Sequence, residues 1–216
     1  VSISIAVLVS GTGSNLKAIL EAVKQGRVDA AVSVVISNKP EAKALQVAAE
    51  YGVKAVAIAS RGLSREDHED LLITELSKHR VDYVVLAGYM RVLTGRFLNH
   101  FRHADGYFKV INIHPALLPA FPGMHGYEDA FAYGVKVSGI TVHLLDEQVD
   151  HGPILAQEAF KRLDDDTLET FKARGLEVEH RLYPAVLQAI ATYGLGGLIT
   201  GKSHVAAQAT SRSGSQ

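Results

Sequence analysis

Short aliphatic and β-branched runs alternate along the chain with stretches in which apolar positions recur every three or four residues. Ile3 to Val9, Ala31 to Ile36, Lys54 to Ile58, Tyr83 to Leu86 and Val110 to Ile113 read as strands. Between them, residues 14–24, 42–51, 64–79 and 94–101 carry helical spacing. Strictly alternating strands and helices imply βαβ units, which need a parallel sheet with helices packed on its faces. Ser138 to Leu145 and Ile154 to Phe160 add strands joined by a loop over 146–153, and Thr167 to Tyr193 reads as a long closing helix. The expected fold class is α/β, an open, mostly parallel twisted sheet flanked by helices, Rossmann-like in plan.

Local signals set the expected boundaries. Ser14 is placed to cap the first helix, and Ser64-Arg65-Glu66-Asp67 forms a loose capping box with Asp in place of the usual Glu or Gln. The acidic run Asp164-Asp165-Asp166 suits N-capping and dipole compensation of the closing helix, with metal binding as the minor alternative. Pro184 is expected to kink that helix and Gly175 to weaken it. From Gly194 onward the chain is rich in Gly, Ser, Ala and Gln without periodicity. One domain over residues 1–195 is therefore expected, with a partly disordered tail over 196–216.

Composition narrows the function classes. With 216 residues and 47% hydrophobic content, the chain has enough apolar material for one sizeable core. A formal net charge of -1 carries no bulk signal for nucleic acid or an anionic membrane surface. The absence of cysteine excludes disulfides, iron–sulfur ligation and thiolate nucleophiles. Ile3 to Val9 is too short to span a bilayer and no basic segment precedes it, so a cytoplasmic protein is expected.

The candidate chemistry gathers at strand ends. In Ile111-Asn112-Ile113-His114-Pro115, alternation puts Asn112 and His114 on one face and the two isoleucines on the other, facing a core. Pro115 and Pro119 stop the strand at its carboxyl end, where open α/β sheets place ligands. Asp150, on the turn-forming loop before His151-Gly152-Pro153, is placed to fold over that edge or to remain a solvated turn residue. Near the imidazole, its carboxylate would favour the charged ring and raise the His114 pKa. His143 shares a face with Thr141 and reads either as a cleft residue or as a satisfied core histidine. His100 and His103 read as surface residues, and His125 as substrate-facing or a loop anchor; His68, His79 and His204 support no hypothesis. The first turn, Ser10-Gly11-Thr12-Gly13-Ser14-Asn15-Leu16, lacks the third glycine of a dinucleotide fingerprint, and no acid ends the second strand. What remains is a glycine-rich helix N-terminus suited to a phosphate monoester, or simply a tight strand-to-helix turn.

These motifs, together with Leu86-Ala87-Gly88-Tyr89-Met90-Arg91-Val92-Leu93, Gly139-Ile140-Thr141-Val142-His143 and Asp150-His151-Gly152-Pro153-Ile154, occur in an order that resembles the phosphoribosylglycinamide formyltransferases, over about Ile3 to Ala191. The resemblance implies the formyltransferase version of the Rossmann-like fold. It also implies transfer of the formyl group of 10-formyltetrahydrofolate, a co-substrate, to the amino group of glycinamide ribonucleotide in purine synthesis, without a metal. By the same resemblance Asn112, His114 and Asp150 form the catalytic trio. Gly13, Ser14 and Asn15 hold the nucleotide phosphate and Glu179 the ribose hydroxyls. Arg65, Met90, Arg91, Val92, Leu93, Asn112 and the loop Asp146, Glu147, Gln148, Val149, Asp150 bind the folate. A cis Leu118–Pro119 bond is implied too, and a homodimer is left open.

The chain departs from the family where Leu176, preceded by Gly175, stands at a position commonly polar or basic; His125 keeps the family's residue, and Gly126-Tyr127-Glu128 after it matches no recognised motif. Methionyl-tRNA formyltransferases and formyltetrahydrofolate deformylases share the Asn-x-His strand and the Asp loop. The former carry a further C-terminal domain, for which Gly196 to Gln216 is too short and too polar; the latter have a second His where Pro115 stands. Three other readings stay open: a deformylase-like hydrolase, a metal-dependent hydrolase using His114, His143 and Asp150, and a non-catalytic nucleotide-binding domain.

Overall fold

The computed structural model describes residues 2–199. Its sheet has seven strands: β1 (Ile3–Val9), β2 (Ala30–Ser37), β3 (Ala55–Ala57), β4 (Tyr83–Leu86), β5 (Val110–His114), β6 (Val137–Leu144) and β7 (Ile154–Lys161), in the spatial order β3-β2-β1-β4-β5-β6-β7. The first five pair in parallel, whereas β5–β6 and β6–β7 are antiparallel. The six helices are α1 (Ser14–Lys24), α2 (Lys43–Glu50), α3 (Arg65–Leu76), α4 (Gly95–His100), α5 (Gly126–Tyr133) and α6 (Leu168–Ile199). Strand order reverses between β1 and β4, and the turn after each opens beside the other: Ala87 N–H donates to the Leu8 carbonyl at 2.9 Å. That crevice is where an open α/β sheet takes a ligand.

Each face of the sheet has its own core. On one, Ile5, Val7, Val85, Ile111, Ile113, Ile140 and Val142 meet Leu16 and Ile19 of α1, Ala44 of α2, Ala130 of α5 and the inner side of α6. On the other, Ala6, Leu8, Val34, Ile36, Val84 and Leu86 pack under Leu72 and Leu76 of α3 and Phe97 and Leu98 of α4. The second layer stops short of β6, and this leaves the same face of β5 and β6 for polar groups.

Several local expectations are corrected. Gly13, with φ 80, holds the cap position of α1, and no side chain caps that helix; Ser14 is its first residue. A Cβ at Gly13 would lie 2.8 Å from Ala44, so α2 packs too closely for any other residue. The Ser64 hydroxyl accepts from Asp67 N–H at 3.0 Å and donates to its carboxylate at 2.7 Å, because Asp is too short to reach the Ser64 backbone. Of the acidic run, Asp166 is bound to Arg174 at 2.6 and 2.8 Å, and Thr167 caps α6 by accepting from Thr170 N–H at 3.3 Å. Pro184 stays within helical backbone, buried in the core; the non-helical residue inside α6 is Gly194, with φ 70 and ψ 163. By length and composition α6 would suit a membrane span, but half of that stretch is buried against the protein. Helix α5 lies in a stretch read from sequence as loop. Leu195 and Leu198 are buried in the core, and the expected tail from residue 200 onward lies outside the described residues.

Candidate active site

The register of β5 against β6 builds the site. Asn112 pairs with His143 and His114 with Thr141, so all four side chains share the face that α3 and α4 leave uncovered. Leu144 ends β6, and the chain turns through residues 145–153 before β7, which carries Asp150 back over these side chains. Gly152 makes the return possible, since a Cβ there would sit 2.0 Å from the Leu144 carbonyl oxygen. Asp150 Oδ2 lies 3.3 Å from His114 Nδ1, and Oδ1 lies 3.6 Å from His143 Nε2. Three groups remote in sequence thus converge on one cleft, and His143 joins them as a cleft residue.

Hydrogen bonds assign roles to the polar atoms. His143 Nδ1 faces the Leu144 carbonyl at 2.8 Å, and Asn112 Nδ2 lies 3.3 Å from its Nε2. The second hydrogen on Asn112 Nδ2 has no partner among the described residues. His114 Nε2 faces the Phe121 carbonyl at 2.8 Å, so it carries the proton and Nδ1 of the neutral ring turns its lone pair toward Asp150. Gly123 N–H donates to Asp150 Oδ2 at 2.7 Å. Phe121 and Asp150 both have φ 53, the only non-glycine residues with positive φ among those described, and both hold His114.

The electrostatics correct one expectation. His114 is 3% exposed, and burial pushes its imidazole below the ordinary value; Asp150 and the Phe121 carbonyl pull the other way and do not prevail. Burial works to raise the Asp150 carboxyl, but the His143 ring, the Gly123 N–H and the charge available on His114 outweigh it and hold the carboxyl low. Near neutrality the pair is therefore an ionised carboxylate beside a neutral imidazole. One proton between Nδ1 and Oδ2 would satisfy both, so the pair is built to accept a proton. Against the expected imidazolium, desolvation in this pocket exceeds the attraction of one carboxylate and shifts the ring toward its neutral form.

The residues expected on the nucleotide side assemble separately. Asn15 Nδ2 donates to Glu179 Oε2 at 2.5 Å, and the buried Asn15 Oδ1 has no partner among the described residues. Ser14 and Gly13 begin α1 beside them. Ser10 joins this turn to the β4 end: its hydroxyl accepts from Met90 N–H at 2.8 Å and donates to Asn38 Oδ1 at 2.6 Å.

On the expected folate side, Met90, Val92 and Val149 are 54%, 50% and 54% exposed. Arg91 is half-buried, whereas the Leu93 side chain turns into the core. Arg65 lies exposed at the start of α3. Asp146 braces the loop by accepting from Gln148 N–H at 2.8 Å and binding His151 Nδ1 at 2.7 Å, and Glu147 lies against Gly95. The Leu118–Pro119 bond is cis, and Thr141 Oγ1 accepts from Leu118 N–H at 3.0 Å. His100 and His103 belong to the surface, and His125 stands exposed before α5.

Sequence reasoning passed over several supporting residues. His68 and Glu69 of α3 are each 1% exposed. His68 Nε2 meets the Tyr89 hydroxyl at 2.8 Å, and Glu69 accepts from Thr94 N–H at 2.7 Å and from its hydroxyl at 2.5 Å. The buried Tyr183 hydroxyl donates to the carbonyls of Leu86 and Ile111 at 2.9 and 3.1 Å, tying the ends of β4 and β5. Adjacent acid and imidazole at 68–69 were a usable signal; nothing in the sequence of α6 marks Tyr183. Among the described residues, no three His, Asp or Glu side chains are arranged to hold a metal ion. One nitrogen on each of the two imidazoles is already committed to a carbonyl.

Comparison with known proteins agrees with this arrangement. The formyl transferase family model matches residues 3–187. The chain is 40% identical over 186 residues to the phosphoribosylglycinamide formyltransferase of Bacillus subtilis, covering 86% of this chain and 93% of that protein. It is 44% identical over 190 residues to that of Mycobacterium tuberculosis strain H37Rv, covering 88% of this chain and 85% of that protein. The crystal structure of glycinamide ribonucleotide transformylase 1 from Symbiobacterium toebii aligns with a TM-score of 0.83 and 42% identity, covering 88% of each chain. With the family match running from β1 into α6 across every strand that carries a site residue, the chain belongs to the formyl transferase family.

Proposed function

We propose that the cleft at the ends of β4, β5 and β6 transfers a formyl group from 10-formyltetrahydrofolate to the amine of glycinamide ribonucleotide. The chain is a phosphoribosylglycinamide formyltransferase of purine biosynthesis, and its folate is a co-substrate. The observation that carries the catalytic assignment is the 3.3 Å approach of Asp150 to His114 on the face that also presents Asn112.

The amine attacks the formyl carbon, forming a C–N bond and placing negative charge on the formyl oxygen. The free N–H of Asn112 donates to that oxygen, an interaction worth about 10²–10³ in rate. The proton lost by the nitrogen passes to the Asp150–His114 pair, which is ionised and neutral respectively before the reaction. Once it rests between Oδ2 and Nδ1, His114 gains imidazolium character, and its Nε2–H exchanges the Phe121 carbonyl for the formyl oxygen. Collapse of the adduct expels the folate nitrogen, which takes a proton back from the same pair. No protein nucleophile is required, and holding the two substrates together supplies roughly 7–11 kcal/mol at best.

Gly13, Ser14 and Asn15 seat the phosphate at the start of α1, and Glu179 accepts from the ribose. Met90, Arg91, Val92 and the 146–150 loop line the folate pocket, where exposed apolar side chains await a flat ring. Arg65 faces the acidic tail. The reading puts the enzyme in the cytoplasm with its small-molecule substrates.

The test is an assay of purified protein with both substrates, following tetrahydrofolate release, beside a run with water as the sole acceptor. Release that requires the ribonucleotide supports the transferase. Release of equal rate without it identifies a hydrolase and sinks the reading.

A further inference from the structure

Gly175 and Tyr127, 48 positions apart in the chain, meet in space. Gly175, on α6, has the Tyr127 ring where its own side chain would be: a Cβ there would lie 2.3 Å from Cε1, 2.4 Å from the hydroxyl oxygen and 2.7 Å from Cζ. No residue but glycine leaves room for that ring. Tyr127 is buried, packs edge-on to Phe171 with ring centres 6.2 Å apart, and donates its hydroxyl to Glu179 Oε1 at 2.5 Å. Burial and the adjacent negative charge of Glu179 keep the phenol protonated far above its ordinary range, so it acts only as a donor to that carboxylate. Leu176, at the next position of α6, makes no polar contact among those described.

We propose that Tyr127, housed by Gly175, is the positioning residue that sets the Glu179 carboxylate for the ribose of the nucleotide substrate. The proposal rests on the reading above that Glu179 receives that ribose. A carboxylate offers about four acceptor sites, two on each oxygen. Tyr127 occupies one on Oε1 and Asn15 one on Oε2, and a single free site remains on each oxygen. Two adjacent hydroxyl donors, the vicinal diol of a ribose, fill that remainder; a 2′-deoxyribose leaves one site empty.

Placement on α5 adds a reason for the choice of element. Gly126, the residue before Tyr127, lies against His114, where its Cβ would be 3.1 Å from Nε2. Consecutive residues at the start of one helix therefore touch the imidazole and the ribose-binding acid. The glycine that appeared to weaken α6 is a socket, and the helix tolerates it because the Tyr127 ring fills the space a side chain would take.

The measurement compares wild type, Tyr127→Phe and Gly175→Ala, using glycinamide ribonucleotide and its 2′-deoxyribo analogue, by calorimetric binding and by steady-state kinetics. Tyr127→Phe keeps the ring in its socket and removes only the hydroxyl. The expected result is about a tenfold rise in KM for the ribonucleotide, the order of one hydrogen bond to a charged group, with kcat and the KM for the folate within twofold. The preference for ribose over deoxyribose should fall by a similar factor. Gly175→Ala should match this loss, and adding Tyr127→Phe to it should cost less than twofold more, because the hydroxyl has already been displaced. Unchanged ribonucleotide KM and unchanged ribose preference in Tyr127→Phe overturn the proposal, whether or not Gly175→Ala folds. Nucleotide binding without turnover in the wild type defeats the functional reading, and the binding preference alone then decides the role of Tyr127.

Discussion

The proposed nucleotide side and the proposed folate side of this cleft are built in opposite ways. On the nucleotide side, Glu179 is 6% exposed and held by donors from two other elements, Asn15 on α1 and Tyr127 on α5. On the folate side, Met90, Val92 and Val149 stand half exposed, and the loop carrying Val149 is braced mainly by its own Asp146. The difference follows from the chemistry recognised. A buried carboxylate must be fixed and satisfied before the ligand arrives, or its desolvation goes uncompensated. An apolar wall needs no partner in advance, and its exposed surface becomes binding free energy when a ring system covers it. Asp150 belongs to both regimes: it sits on the folate-side loop, yet its carboxylate is tied to Gly123 N–H and His114 with the economy of the nucleotide side.

That contrast can be broken most sharply at Asp150. Asp150→Asn should lower kcat by about 10³, within the range for a positioned acid–base group, while calorimetric binding of glycinamide ribonucleotide changes little. A parallel loss of nucleotide affinity would mean that the two sides are one unit. Next in size is Gly152→Ala, which forces the loop away from the Leu144 carbonyl and moves the carboxylate. A displacement near 1 Å should cost about 10² in kcat, with the larger KM change on the folate, as steady-state kinetics would show.

The pH dependence of kcat sharpens the assignment of the proton acceptor. The His114 imidazole lies below its ordinary value of 6.5 and the Asp150 carboxyl also lies low. The active form has both deprotonated, so kcat should be level through neutrality and fall only as pH drops below 6.5. An acid limb centred above 6.5 contradicts the neutral-imidazole account. The smallest effect is expected at Glu69, which holds Thr94 at the far end of the Met90–Leu93 segment. Glu69→Ala should lower stability by about 2 kcal/mol, as for hydrogen bonds to a charged group, and raise KM for the folate alone. Denaturant unfolding and steady-state kinetics would check both halves.

His68 shows what burial does to the same residue type when no carboxylate opposes it. Burial, aided by the charge of Arg91, lowers its pKa to about 4. The unfolded chain therefore binds this proton more readily than the folded one. The contribution of His68 to stability is complete above pH 6.5 and declines as pH falls toward 4, by up to about 3 kcal/mol. His114 is shifted the same way by the same cause, but Asp150 faces it and works against the shift.

Much of this protein was legible in order along the chain. Alternation within Ile111 to His114 gave the orientation of Asn112 and His114 correctly, because a strand's side-chain period of two holds wherever one face is buried. Helical spacing and β-branched runs placed every strand within one residue and α1, α2 and α4 likewise, whereas α3 ends three residues early and α6 runs six residues past the expected Tyr193. Helix α5 escaped because Gly126–Tyr133 is short, opens on glycine and has no side-chain cap. The protonation of His114 escaped as well: a sequence names the carboxylate beside the ring but not the depth of the pocket around it.

Local pattern by itself determined the strands, the carboxyl-end placement of the imidazole and the glycine-rich turn, since each depends on neighbours a few residues away. Only the tertiary structure decided that Asp150 reaches His114 and that burial pushes the imidazole below its ordinary value. Only it placed the Tyr127 ring in the space of Gly175, 48 positions later in the chain. Those outcomes depend on which surfaces exclude water and which atoms approach within contact distance, and both are properties of the packed sheet as a whole.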